Sequence, residues 1–221
     1  MKKILMFIFI VIILITGLSI STGCSNMKTE EKTEEAAHAE DMENKSYEEA
    51  VVGGGCFWGI EAIFEQLKGV KSVESGYAGG SVENSTYEEV CSGNTGHAEV
   101  VRITYNPEII SYRQLLEVFF YIHDPTTLNS QGNDLGSQYR STILFESPEQ
   151  EQTAMGLIEE LERQEIYDDP ITTEVKPLDT FYMAEEYHQS YYEKNNIQPY
   201  CQSVISPKVK KFSDKFGDLL K

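Results

Sequence analysis

The sequence predicts an α+β domain with a ferredoxin-like two-layer core in the order β-α-β-β-α-β, followed by an additional C-terminal strand and helix. Three observations predict it. Extended and helical patterns follow one another in that order from Ala50 onward. The helical segments carry single apolar stripes, so each covers one face of a sheet. At 221 residues the chain suits one folded domain with extra segments, and it shows no internal repeat.

The elements follow in order. Ala50 to Gly53 reads as a short strand. Ile60, Ile63, Phe64 and Leu67 then fall at i, i+3, i+4 and i+7, one face of a helix that Lys68-Gly69 closes. Val70 to Tyr77 is extended and leads into Ala78-Gly79-Gly80. Ala98 to Tyr105 is a strong strand with Glu99, Val101, Ile103 and Tyr105 on one face. Ser111 caps a helix whose buried stripe is Tyr112, Leu115, Leu116 and Phe119. Tyr139 to Phe145 is the next strand, and Ser147-Pro148-Glu149-Gln150 is a capping box opening another helix. Ile171 to Val175 is an edge strand, and a last helix covers Ala184 to Tyr192. Two long connections, Gly79 to Thr95 and Asp124 to Gln138, are rich in Gly, Asn, Ser and Thr; loops of that length are commonly functional.

Composition removes several classes. Eighteen basic against thirty-six acidic residues give a net charge of −18, which leaves no basic face for nucleic acid or anionic lipid. Four cysteines in this length exclude a disulfide-stapled mini-fold.

The N-terminus reads as an export signal over residues 1–23. Met1-Lys2-Lys3 is a basic start, and Ile4 to Ile15 is an unbroken apolar run of twelve residues. That run is shorter than the about 20 residues a membrane span needs, and its flanks are those of a signal peptide. Ser21-Thr22-Gly23-Cys24 resembles a bacterial lipoprotein cleavage site with Cys24 as the lipidated residue, although Ser21 stands where such signals usually carry Leu. Residues 24–49 hold nine acidic residues against three lysines and few large apolar ones, the composition of a disordered acidic tether. Residues 50–221 then form the folded domain. The expected location is outside the cytoplasm, anchored to the cell membrane by the N-terminal lipid.

Chemistry gathers in three patches. In Gly53-Gly54-Gly55-Cys56-Phe57-Trp58-Gly59 a strand runs through three glycines into a cysteine that opens a helix. The helix dipole and free N–H groups favour a thiolate there, so the pKa of Cys56 is expected to fall from about 8.5 toward or below neutrality. Phe57 and Trp58 place an apolar cage beside it. In Gly96-His97-Ala98-Glu99-Val100 the apolar neighbours of Glu99 should raise its pKa and fit it as a general acid. His97-Ala98-Glu99 also matches the H-x-E of zinc deaminases, but no P-C-x-x-C follows, and no metal site is assigned. The third patch, Gln131-Gly132-Asn133-Asp134 through Gln138-Tyr139-Arg140-Ser141, delivers Asp134 and Tyr139 at the mouth of a strand.

Together these patches resemble the A-type peptide methionine sulfoxide reductases over roughly Ala50 to Phe212. The resemblance implies a ferredoxin-like α+β core and reduction of methionine S-sulfoxide, in proteins and free, without a cofactor. It implies that Cys56 attacks the sulfoxide sulfur, Glu99 protonates the oxygen, Tyr87 and Tyr139 hydrogen-bond that oxygen, Phe57 and Trp58 hold the methyl group, and Asp134 orders the site. It also implies Cys201 as the resolving cysteine, forming a disulfide with Cys56 that an external dithiol reopens, though Val204 to Lys208 departs from the glycine-rich tail of some members. Expected partners are methionine sulfoxide-containing proteins and a thioredoxin-like reductant outside the cytoplasm; no nucleic acid is expected, and the chain is expected to be a monomer. Cys91 reads as a small buried residue, His123 and His188 as structural, and Tyr191, Tyr192 and Tyr200 as packing or surface residues. Two other classes share parts of this pattern: a different thiol enzyme, either a peroxidase or a Cys-His hydrolase using His97, and a non-catalytic lipoprotein module.

Overall fold

The computed structural model describes residues 47–221. The expected signal peptide, the lipidation site Cys24 and the tether as far as residue 46 lie outside the described residues. The domain is α+β, with a mixed six-stranded sheet and its helices packed chiefly on one face.

Strand β1 (Glu48–Gly53) starts two residues before the expected Ala50. Glu48 and Glu49 belong by composition to the acidic tether, yet they pair with Tyr105 and Thr104 of β3 (Ala98–Tyr105). The Tyr105 hydroxyl donates to Glu48 Oε2 at 2.6 Å, so an acidic residue is drawn into the sheet by a specific partner. Helix α1 (Phe57–Phe64) follows, then β2 (Val70–Ala78), a short α2 (Tyr87–Cys91), β3 and α3 (Tyr112–Ile122). The region from Asp124 to Gln138 is more ordered than its composition suggests. It holds a two-residue hairpin, β4 (Ser130–Gln131) with β5 (Asp134–Leu135), and a 3-10 turn at Ser137–Tyr139. Strand β6 (Thr142–Phe145), α4 (Pro148–Arg163), β7 (Glu174–Pro177) and β8 (Phe181–Met183) complete the sheet.

The strand order is β7-β6-β1-β3-β2-β8, with β7 parallel to β6 and every other pair antiparallel. Val52, Val101, Ile103 and Tyr105 meet the apolar stripes of α1 and α3 in the main core. Val51, Val100 and Leu144 form a smaller cluster on the opposite face. Ser111 makes a full capping box with Gln114 at the start of α3. Ser147 caps α4 through the Gln150 N–H, but the Gln150 side chain bonds Glu146 and Glu49 rather than closing the box on Ser147.

The C-terminal region differs most from expectation. The single helix read over Ala184 to Tyr192 is a 3-10 turn at Glu186–His188 and a short α5 (Tyr191–Asn195). Ser190 breaks it with φ of 52°. The buried carboxylate of Glu61 on α1 accepts from the Ser190 and Tyr191 N–H groups at 3.0 and 3.3 Å, holding the break in place. A π-helical turn, Cys201–Ile205, then runs into α6 (Ser206–Phe216), whose Phe212 is fully buried in the main core.

Candidate active site

The three glycines bring separate segments together at Cys56. A β-carbon on Gly53 would lie 2.6 Å from the Glu99 carbonyl oxygen, so only glycine lets β1 approach β3 this closely. Gly55 has φ of +95°, and its N–H donates to the Tyr139 carbonyl at 3.1 Å, which draws Tyr139 against the cysteine turn. Cys56 is half-buried at the N-terminus of α1.

Glu99 is 1% exposed, and the Phe57 N–H donates to its Oε2 at 3.1 Å. Burial pushes its pKa up to about 8 against the pull of that hydrogen bond, with the charge of Asp134 adding to the rise. The direction is the one its apolar flanks suggest. At neutral pH the carboxyl therefore holds its proton. Tyr87 and Tyr139 both feel the Glu99 charge, and burial holds both phenols far above their usual range.

Cys56 departs from the expected depressed pKa. Burial, followed by the nearby Glu99 charge, pushes its thiol well above the ordinary cysteine range. The Trp58 N–H and the Tyr200 hydroxyl act in the other direction, but the first turn of α1 alone does not offset burial. The pair behaves as one unit: a carboxyl that keeps its proton leaves room for a single negative charge on sulfur.

The aromatic wall is larger than Phe57 and Trp58. Trp58 stacks on Tyr191 with centroids 3.7 Å apart, and its indole N–H donates to His188 Nδ1 at 3.0 Å. His188 is buried, with ring centroids 5.0 Å from Phe57 and 4.6 Å from Tyr87. Glu185 accepts from the Tyr77 hydroxyl and the Tyr87 N–H, both at 2.9 Å, and so ties α2 to the sheet beneath Tyr87.

Asp134 accepts a 2.6 Å hydrogen bond from the Tyr200 hydroxyl, and that hydroxyl also contacts the Cys56 thiol. Tyr200, read from sequence as packing or surface, is therefore in the site; only its position beside Cys201 pointed there. Cys91 is half-buried rather than buried, and its thiol lies close to the Tyr87 phenol. Cys201 is 0% exposed, packed with Ala62 and Ile205, and Cys56, Cys91 and Cys201 are all free thiols.

His97 does not serve Cys56. Its Nδ1 accepts from the Gly80 N–H at 3.0 Å, and its Nε2 bonds the Val82 carbonyl at 2.7 Å, tying down the Gly79 to Thr95 connection. His123 is a packed histidine, bonded to the Phe119 carbonyl and Ser141, with burial lowering its pKa to about 4. Among the described residues no group of three His, Cys, Asp or Glu side chains could hold a metal ion, and no helix is long and apolar enough to cross a membrane.

A thiol, a protonated carboxyl and two phenols converging beside an aromatic wall on an α+β frame define a cysteine-dependent enzyme site. The peptide methionine sulfoxide reductase family profile matches residues 48–219. The peptide methionine sulfoxide reductase MsrA of Saccharolobus solfataricus is 55% identical over 174 residues, covering 79% of this chain and 97% of the relative. That of Deinococcus radiodurans is 53% identical, covering 79% and 84%. The crystal structure of reduced Mxr1 from Saccharomyces cerevisiae superposes with a TM-score of 0.65 at 36% identity, covering 72% of this chain and 91% of that one. Methionine sulfoxide reductase A of Corynebacterium diphtheriae gives 0.66 at 38%, covering 69% and 76%. The chain belongs to the peptide methionine sulfoxide reductase family.

Proposed function

We propose that the chain repairs oxidised methionine by reducing methionine S-sulfoxide, in proteins and free. The observation that carries this reading is the buried Glu99 carboxyl, protonated at neutral pH, in the same site as the Cys56 thiol. Sulfoxide oxygen leaves only when protonated, so a thiolate and a neutral acid must meet at one substrate. Cys56 sulfur attacks the sulfoxide sulfur, Glu99 gives its proton to the oxygen, and the oxygen passes to Cys56. The products are methionine, a Cys56 sulfenic acid and the Glu99 carboxylate. Tyr87 and Tyr139 donate hydrogen bonds to the oxygen; their raised pKa values keep both hydroxyls protonated. Phe57 and Trp58 hold the methyl group. With two substituents placed, the mirror sulfoxide puts its oxygen in the wrong position, which restricts the enzyme to one epimer; the likeness to the A-type reductases makes that the S form. Turnover of separate R and S epimers with a dithiol tests this; equal rates would overturn it.

Regeneration uses Cys201. Its thiol displaces the sulfenic oxygen as water to form a Cys56–Cys201 disulfide, which a thioredoxin-type dithiol reduces. Support comes from position: Tyr200, which touches the Cys56 thiol, directly precedes Cys201. The buried Cys201 must leave its packing with Ala62 and Ile205, so the π-helical turn opens for this step. The ferredoxin-like description of the core is supported by the inner strand order β6-β1-β3-β2 and its antiparallel pairs.

The chain works outside the cytoplasm, lipid-anchored at Cys24 with a thioredoxin-like donor on that side. Residues 1–24 and the acidic composition that follows support this reading. Fractionation of cells carrying the wild type and Cys24→Ala tests it. Wild type in the membrane with the variant released supports the anchor; both proteins in the cytoplasm would contradict it.

A further inference from the structure

A cavity of about 550 Å³ opens beside Cys56 on a side that the sulfoxide chemistry above does not use. Gln131 and Asp134 line one part of it, and Tyr200, Ile205 and Lys208 another. Neither Glu99 nor Tyr87 is among its lining residues, so it meets the sulfur away from the oxygen site. Lys208 is the one cation in this lining.

Its placement is specific. Lys208 lies in α6 one turn beyond the buried Ile205 of the π-helical turn, inside a continuous helical run. Among the described residues it forms no ion pair. Its Cδ lies 4.0 Å from where a β-carbon on Gly59 would sit, so the stem rests on the first turn of α1. The absence of a side chain at Gly59 makes that path available. The groups that act on Cys56 are Glu99 on β3, Asp134 on β5 and Tyr200, with Tyr139 also close to its charge, and His123 feels the charge of Lys208. Asp134 opposes ionisation of Cys56, as does Glu99 once it has lost its proton; Lys208 alone carries the opposite sign.

We propose that Lys208 is a positioning residue for sulfoxide reduction, its ammonium stabilising the Cys56 thiolate across the cavity while balancing the charge of Asp134. The proposal rests on the reading of Cys56 as nucleophile. It accounts for how a thiol that burial holds protonated reaches its reactive form. It also fits the Tyr200 hydroxyl, which has one hydrogen to give. When that hydrogen turns from Asp134 to the thiolate, Lys208 remains to balance the Asp134 carboxylate. Burial lowers the Lys208 pKa, while Cys56 and Asp134 both favour its charged form.

The test is the pH dependence of Cys56 alkylation by iodoacetamide, followed on the Cys56 peptide by mass spectrometry. It compares the full chain as wild type, Lys208→Met, Lys208→Gln and Lys208→Arg. Met keeps the stem over Gly59 and removes only the charge. In both neutral variants the midpoint should move up by about one pH unit, with about tenfold slower alkylation at neutral pH; Arg should restore most of the difference. Superimposed profiles for wild type and Lys208→Met would overturn the proposal, as would a shift that Arg fails to rescue. Sulfoxide turnover by Cys56→Ser tests the nucleophile separately, because the alkylation profile reads the Lys208 charge whatever that turnover shows.

Discussion

The Tyr200 hydroxyl donates to Asp134 Oδ2 at 2.6 Å and contacts the Cys56 thiol, joining residues 66 positions apart to the reactive sulfur. Removing the hydroxyl takes away a donor to the thiolate and leaves Asp134 without this partner. Tyr200→Phe should therefore slow methionine sulfoxide reduction about tenfold or more, the usual worth of a hydrogen bond to a charged group. Steady-state kcat on a sulfoxide peptide checks it. An unchanged kcat would reduce Tyr200 to packing.

Glu99→Gln should lower kcat by about two to four orders of magnitude, the range of general acid catalysis. Its pH profile carries the sharper signature. The reactive form has one negative charge on sulfur and the proton still on Glu99. It appears as the pair loses its first proton near pH 8, where the Glu99 pKa lies, and disappears as the second proton leaves. Wild-type kcat/KM should be bell-shaped, and the variant should keep only a rising limb. A falling limb of the same position in Glu99→Gln would assign that ionisation elsewhere.

Much of this site was legible before the fold was known. Cys56 stands out because three glycines precede it at a strand-helix junction, and Glu99 because it shares a strand face with Val101 and Ile103. The Ser111 and Ser147 caps are local signals and hold up. What was missed depends on distant partners. Tyr200, His188 and Glu185 enter the site through contacts with Asp134, Trp58 and Tyr87, and no spacing in the chain announces such pairs. The break at Ser190 depends on Glu61, 129 residues away. Glu48 and Glu49 look like tether because their strand partners lie on β3. The thiol pKa was misjudged because a helix terminus is visible in sequence while burial is not.

Glu61 offers a stability test independent of catalysis. Burial raises its pKa from 4.5 to about 7, so the folded chain binds its proton more tightly than the unfolded one. That contribution is fully present below about pH 4.5 and is lost as pH rises through about 7; its size is on the order of 3 kcal/mol. Gln keeps an oxygen acceptor for Ser190 and Tyr191 but does not titrate. Urea unfolding of wild type and Glu61→Gln across this range should show the wild type losing stability relative to the variant as pH rises. Parallel profiles would show that Glu61 does not titrate in this window.

Cys201→Ser separates reduction from regeneration. The first turnover should be unchanged, because Cys201 does not act on the sulfoxide. Steady-state turnover with a thioredoxin-type dithiol should slow, as the sulfenic acid must wait for direct reduction. Rapid-quench measurement of both phases checks this. An unchanged steady state would remove Cys201 from the cycle and leave its role to packing with Ala62 and Ile205.

The central claim is that oxygen moves from the sulfoxide to Cys56 itself. A single turnover without reductant tests it most directly, using a methionine S-sulfoxide peptide and mapping oxidised cysteine by trapping sulfenic acid with dimedone in Cys91→Ser/Cys201→Ser protein. A single equivalent of methionine is expected, with the trapped adduct on Cys56, and neither methionine nor adduct when Cys56→Ser is added. Methionine formed by the Cys56→Ser protein would contradict it.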